Sequence, residues 1–223
     1  MNWIGFKGGF GVMRQYIKWS SIIAMGIIGL FLTGCASSTK ITMTQEKYAP
    51  SFRANDYSRY KGKKLAIASF YNQAQNTKAY NYFSADKKYV YEGNATLENY
   101  YLYCFQKAFR HIGVSLVDYT YDNNNRYHHG HRYGWWGAPG PGAFKAPRGV
   151  AEFQFVLLSL NDQEFKFKAL LFKDGEAKFD KDYTVTMAEA GTDNAAQLEK
   201  RAYSLVDLAF TTIMRDREFQ KAF

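Results

Sequence analysis

Phe165-Lys166-Phe167-Lys168-Ala169-Leu170-Leu171-Phe172-Lys173-Asp174-Gly175 is the stretch from which the fold can be read. Phe165, Phe167, Ala169 and Leu171 recur at every second position, with Lys166 and Lys168 between them. That alternation belongs to a strand with one face on a core and the other in water. Asp174-Gly175 supplies two residues able to take positive φ, a strong signal for a tight hairpin. Beyond it Phe179, Lys181, Tyr183, Val185 and Met187 share one parity and predict the returning strand. Upstream, Phe153, Phe155 and Leu157 alternate with Gln154, Val156 and Leu158, and Asn161-Asp162 turns that strand into the next. Three strands joined by two short turns predict an antiparallel meander.

On either side of the meander the apolar period lengthens from two to between three and four. Leu97, Tyr101, Phe105, Ala108 and Ile112 make one stripe behind Thr96, whose hydroxyl can cap a helix, and Gly113 stands at the left-handed stop position. Leu198, Ala202, Leu205, Ala209 and Ile213 make a second stripe, capped by Thr192 or Asp193, with Glu199, Lys200 and Arg201 mainly opposite. Leu65 to Phe70 predicts a strand buried on both faces, in which Leu65, Ile67 and Ser69 alternate with smaller residues. Val114 to Asp118 predicts another strand directly after the first helix, a succession that favours parallel pairing through a right-handed crossover. The order β-α-β-β-β-α implies an α+β fold, a two-layer sandwich with two helices on one face of a mixed sheet of about five strands.

Two segments resist this pattern. Between Asn72 and Asn94, Tyr80/Tyr82 and Tyr89/Tyr91 keep a spacing of two around Ala85-Asp86-Lys87-Lys88. They read either as a hairpin that offers tyrosines to a partner or as ordinary packing over the core. Residues 121–149 hold Asn123-Asn124-Asn125, three of the four prolines and many glycines, and read as a long loop. His128-His129-Gly130-His131 within it could hold zinc, copper or nickel, with Asp122 the nearest carboxylate. Trp135-Trp136, flanked by Tyr127, Tyr133 and Phe144, are costly to leave in water. They could dock on a partner or a membrane interface, or fold back over the sheet edge.

The amino-terminal part reads as targeting. Ile22 to Leu32 is an unbroken apolar or glycine run behind Arg14 and Lys18, the plan of a secretory signal and too short for a membrane span. A start at Met13 would give Met13-Arg14-Gln15-Tyr16-Ile17-Lys18, a compact signal opening, so translation is expected to begin there. The run ends in Leu32-Thr33-Gly34-Cys35, which resembles the lipobox of bacterial lipoproteins. The resemblance implies a signal peptide at 1–34, diacylglyceryl on the Cys35 sulfur, and acylation of the new amino terminus. Two or more chains hold a protein stably on a membrane, at about 0.8 kcal/mol per buried methylene. Ala36 follows the cysteine where enterobacterial proteins retained in the inner membrane carry aspartate, which implies an outer-membrane protein facing the periplasm. Residues 35–60, rich in Ser, Thr, Lys and Gln with Pro50, then read as a lipid-anchored spacer, and 61–223 as the folded domain.

Removing 34 residues from 223 leaves 189, enough for one domain, and losing Lys7, Arg14 and Lys18 lowers the net charge from +9 to +6. A moderately basic surface suits anionic headgroups, lipopolysaccharide phosphates or an acidic partner, and a lipid-tethered exported chain is not expected to meet nucleic acid. With Cys35 lipidated, Cys104 has no disulfide partner and reads as a small buried apolar residue. Ser-x-x-Lys occurs at Ser37/Lys40, Ser58/Lys61 and Ser84/Lys87, but the Ser-Asp-Asn and Lys-Thr-Gly elements of penicillin-binding enzymes are missing, as are Gly-x-Ser-x-Gly and a phosphate-binding Gly loop. The chain is therefore expected not to be an enzyme and to need no cofactor beyond its covalent lipids.

Phe105 to Val117, Ala151 to Leu157 and Ala169 to Gly175 resemble, in element order and apolar spacing, small envelope lipoproteins. These are the auxiliary lipoproteins of ABC-type lipid transporters and the lipopolysaccharide-assembly lipoprotein that plugs an outer-membrane barrel. The resemblance spans roughly Lys63 to Met214 without the 121–149 loop, and implies an accessory or scaffold subunit of an envelope complex. A carrier of lipid or lipopolysaccharide using Lys166 and Lys168 is the alternative. A metal-binding lipoprotein using His128, His129 and His131 is a third.

Overall fold

The computed structural model describes residues 38–117 and 146–223. The meander is strands β6 (Ala151–Leu160), β7 (Glu164–Lys173) and β8 (Glu176–Thr186), antiparallel throughout. Phe165 pairs with Val185, Phe167 with Tyr183, Ala169 with Lys181 and Leu171 with Phe179. Asp174 and Gly175 have φ of 52° and 83°, the two positive values that a two-residue turn of this hand demands. Asn161 Oδ1 accepts the amides of Gln163 (2.8 Å) and Glu164 (2.7 Å) and so closes the other turn.

Strand β2 (Lys64–Asn72) pairs in parallel with β6 on one side and with the short β5 (Ser115–Leu116) on the other, giving the order β5-β2-β6-β7-β8. The expected strand after the first helix is thus two residues long. Pairing shifts between Ile67 and Ser69, so Phe70 joins the core after Ile67, where simple alternation predicts Ser69. A second shift between Leu157 and Ser159 brings Leu160 inward.

Helices α1 (Leu97–His111) and α2 (Ala195–Arg215) bury the two predicted stripes, and α3 (Arg217–Ala222) follows. Thr96 Oγ accepts from the Asn99 amide (3.4 Å) and caps α1, and Gly113 beyond its end has φ 81°. The α2 cap is Asn194, not Thr192 or Asp193, because Asn194 Oδ1 reaches the amides of Ala196 (3.0 Å) and Gln197 (3.1 Å). Between helices and sheet lies a phenylalanine core: the Phe153 ring sits 6.0 Å from Phe105, 5.4 Å from Phe109 and 6.1 Å from Phe219. The fold is α+β, and the helices cover one face of a mixed five-stranded sheet.

A second sheet departs from expectation. Strand β1 (Thr39–Met43) pairs in parallel with β4 (Tyr89–Gly93), which pairs with β3 (Asn81–Phe83) in an antiparallel hairpin. Tyr82 and Tyr91 stack at 4.9 Å and are both buried, so this hairpin packs on the core; Tyr80, just outside it, is 52% exposed. The stretch expected to be a spacer is therefore folded from Ser38 onward, with Ile41, Met43, Tyr48, Tyr57 and Tyr60 buried. Tyr48 and Tyr60 bury their rings while their hydroxyls reach Asp207 and the Met214 carbonyl, which lets a polar-looking sequence join a core. Two short 3-10 turns, Gln45–Lys47 and Ala54–Tyr60, shape it.

Candidate functional site

Residues 44–60 run along α2 as a strap, and α2 meets it at Glu199, Tyr203, Asp207, Phe210 and Met214, three or four residues apart and so on one side of the helix. Lys47 Nζ lies 3.1 Å from Glu199 Oε1. The Thr44 amide donates to Tyr203 Oη (3.1 Å), whose hydroxyl lies 2.7 Å from the same Glu199 oxygen. Phe52 stacks on Phe210 at 5.2 Å, and Tyr60 Oη donates to the Met214 carbonyl (2.7 Å). From α1, Lys107 Nζ donates to the carbonyls of Glu46 (2.8 Å) and Tyr48 (2.9 Å), while His111 Nε2 is 2.9 Å from the Phe52 carbonyl.

At the centre of the strap, the buried Asp207 carboxylate accepts from Tyr48 Oη (2.7 Å), the Ser51 amide (3.0 Å) and Ser51 Oγ (2.5 Å). Hydrogen bonds of this kind offset the cost of burying a charge. Burial pushes the Tyr48 hydroxyl well up, and the negative charge of Asp207 pushes it further, so it stays a donor. Sequence reasoning overlooks this cluster. The available signal was Asp207 itself, a lone carboxylate inside Leu205-Val206-Asp207-Leu208-Ala209-Phe210.

The strap is pinned where the described chain begins. Ser38 Oγ donates to the Lys87 carbonyl (2.9 Å) and the Thr39 amide to the Lys88 carbonyl (2.9 Å). The turn at 84–88 is closed by Asp86, whose Oδ1 accepts from Ser84 Oγ (2.5 Å) and the Lys88 amide (2.9 Å). The Ser84 hydroxyl, first among these, holds the Asp86 carboxyl below its ordinary range. Asp162 Oδ1 accepts the Ala85 amide (2.9 Å), and Asp193 takes Lys88 Nζ (2.6 Å) and the Tyr89 hydroxyl. The turns at 84–88 and 161–163 and residues 189–193 thus form one end of the domain, with a hollow of about 100 Å³ among them. At the opposite end, an open hollow of about 460 Å³ lies between Lys173, Lys178, Glu218 and Lys221.

Of the residues singled out by sequence, Lys166 and Lys168 share the outer face of β7, and each is ion-paired. Lys166 Nζ lies 3.0 Å from Glu164; Lys168 Nζ lies 3.0 Å from Asp180 and 3.5 Å from Asp182. The hydrogen bond to Asp180 raises the Lys168 ammonium. Cys104 is fully buried in α1, and burial pushes its thiol up, which fits the small apolar role. Cys35, His128, His129, His131, Tyr133, Trp135 and Trp136 lie outside the described residues. Among the described residues, no cluster of His, Cys, Asp and Glu could hold a metal, and no helix is long and apolar enough to cross a membrane.

No family model matches the chain, and no curated protein matches it in sequence. Among solved structures, it is similar to the crystal structure of protein XCC0632 from Xanthomonas campestris, described under the family model DUF330. That similarity has a TM-score of 0.43 at 8% identity, over 82% of this chain and 96% of that one.

Proposed function

We propose that the protein is an outer-membrane lipoprotein, held by acyl chains on Cys35, whose periplasmic domain is an accessory or scaffold subunit of an envelope complex in lipid transport or assembly. The observation that carries the reading is Leu32-Thr33-Gly34-Cys35 behind an apolar run, three residues before the first residue that the folded domain holds, Ser38. Binding rather than turnover is favoured because the buried carboxylates are taken up in holding the chain: Asp207 fixes the strap, Asp162 the 84–88 turn, and Glu152 accepts the Ala146 amide (3.0 Å). The carrier reading is weaker. Lys166 and Lys168, the cations it would use, are already paired with carboxylates.

The test is the full chain and its Cys35→Ser variant expressed in a Gram-negative host with an alkyne-tagged palmitate. The parent should incorporate label, sediment with outer membranes and run at the size left by cleavage before Cys35. The variant should take up no label and keep its signal. Equal labelling and sedimentation of the two would end the reading. Photo-crosslinking from Trp135 then separates scaffold from carrier, since protein adducts favour the first and lipid adducts the second.

A further inference from the structure

We propose, on the basis of the lipid-anchor reading, that the domain stands on the bilayer surface by the end made of the 84–88 turn, the 161–163 turn and residues 189–193. The opposite end, with the Asp174-Gly175 turn and the lysines at 173, 178 and 221, points away from the membrane. The ligand of the first end is the headgroup layer of the lipid surface that holds the acyl chains.

The reach of the tether sets this orientation. After cleavage, only Ala36 and Ser37 separate the lipidated residue from Ser38. Three chain steps at their fully extended length span about 11 Å, so Ser38 stays within or just above the headgroup layer. Ser38 is itself fixed to the 84–88 turn through the Lys87 carbonyl, and Thr39 through the Lys88 carbonyl, at 2.9 Å each. Lengthening the tether would mean peeling β1 from its five pairs with β4 and exposing Ile41 and Met43, which are 1% and 0% exposed. The Ala85–Asp162 hydrogen bond sets the 161–163 turn at the same level, and Lys88–Asp193 brings in residues 189–193. From the 161–163 turn, the ten residues of β7 carry the chain to Asp174, about 33 Å away at the rise of a strand.

Charge is not what fixes the orientation. Lys87 and Lys88 stand beside four carboxylates, Asp86, Asp162, Glu189 and Asp193, so the end carries more acids than lysines and offers no attraction to anionic lipid. A tether-imposed orientation should therefore be the same on zwitterionic and anionic bilayers.

The test uses the lipidated full-length protein in phosphatidylcholine vesicles that carry a nitroxide on a fraction of headgroups. A fluorophore is placed on Ala85→Cys or Ala177→Cys, both exposed alanines at opposite ends. Cys35 is blocked by lipid and Cys104 is buried, so each label is unique. Quenching several-fold greater at 85 than at 177, unchanged by anionic lipid, is expected. A ten-residue Gly/Ser insertion between Ser37 and Ser38 should largely remove the difference. Equal or reversed quenching in protein whose intact mass shows the acyl chains overturns the orientation and leaves the anchor standing. An intact mass without acyl chains removes the anchor and the orientation together.

Discussion

The meander of β6, β7 and β8 and the strap of residues 38–60 are both buried, yet they are buried by different means. In the meander every strand finds its partner across a short turn, from Lys173↔Glu176 back to Glu164↔Thr186. The inward side chains of β6 and β7 are mainly phenylalanines, leucines and alanines at a spacing of two, broken only at bulges. The strap pairs through β1 with β4, 50 residues on, and its partners on α2 are about 150 residues away: Tyr48 and Ser51 on Asp207, Tyr60 on Met214. It is held by buried aromatic rings and by the hydrogen bonds of the Tyr48 and Tyr60 hydroxyls. A local period announces the first kind of burial and says nothing about the second.

If the meander carries most of the hydrophobic stabilisation, Phe153→Ala should be the costliest single change. The ring meets Phe105, Phe109 and Phe219, and removing it should cost about 3–5 kcal/mol, the range for a large aromatic lost from a packed core. Chemical denaturation of the detergent-solubilised protein measures it as a lower midpoint with a single transition. Asp207→Ala should come second, at about 2 kcal/mol, because it strands the Tyr48 hydroxyl and the Ser51 amide in a buried site. Its signature is local: limited proteolysis should cut within 44–60 in the variant at a protease concentration that leaves Phe153→Ala intact there. A larger loss from Asp207→Ala than from Phe153→Ala would reverse the ranking of the two regions.

This difference explains what could be read from the chain. The five apolar positions of each helix stripe, the Asp174-Gly175 hairpin and the parity of Phe165 to Leu171 all follow from local spacing, and the structure has them. Alternation misplaces Ser69 because a bulge is a one-residue shift that periodicity cannot foresee. Composition misleads in the strap because polar and charged residues outnumber its buried ones, which are tyrosines, Ile41 and Met43 with partners on α2 and β4. Asp207 had a signal, a carboxylate in an apolar run, but its three donors lie in a segment that composition alone assigns to solvent. The alternation places Lys166 and Lys168 on one outer face, but not their partners: Glu164 of the same strand pairs Lys166, and Asp180 and Asp182 of the neighbouring strand pair Lys168.

The finest test lies where the meander borrows the strap's device. Tyr183 of β8 donates to Asp216 (2.8 Å), and Lys181 Nζ lies 2.9 Å from the same carboxylate, whose side chain is 10% exposed. Asp216 also caps α3 through the amides of Glu218 (2.8 Å) and Phe219 (3.3 Å). Burial works to raise the Asp216 carboxyl, but Lys181, Tyr183 and the two amides outweigh it and leave it below its ordinary range. A carboxyl held lower in the folded state stabilises the fold above its unfolded pKa, roughly 4, and that contribution fades as pH falls through the lower folded value. Asp216→Asn retains an oxygen for the cap and loses the charge. It should cost about 1 kcal/mol at neutral pH, less than Asp207→Ala, and should flatten the acid limb of the stability curve below about pH 4. Thermal melts of parent and variant from pH 7 downward would show the two curves converging with acid. Parallel curves would mean that the fold does not hold the Asp216 carboxyl below its ordinary range, so that neither Lys181 nor the hydrogen bonds it accepts favour its charged form.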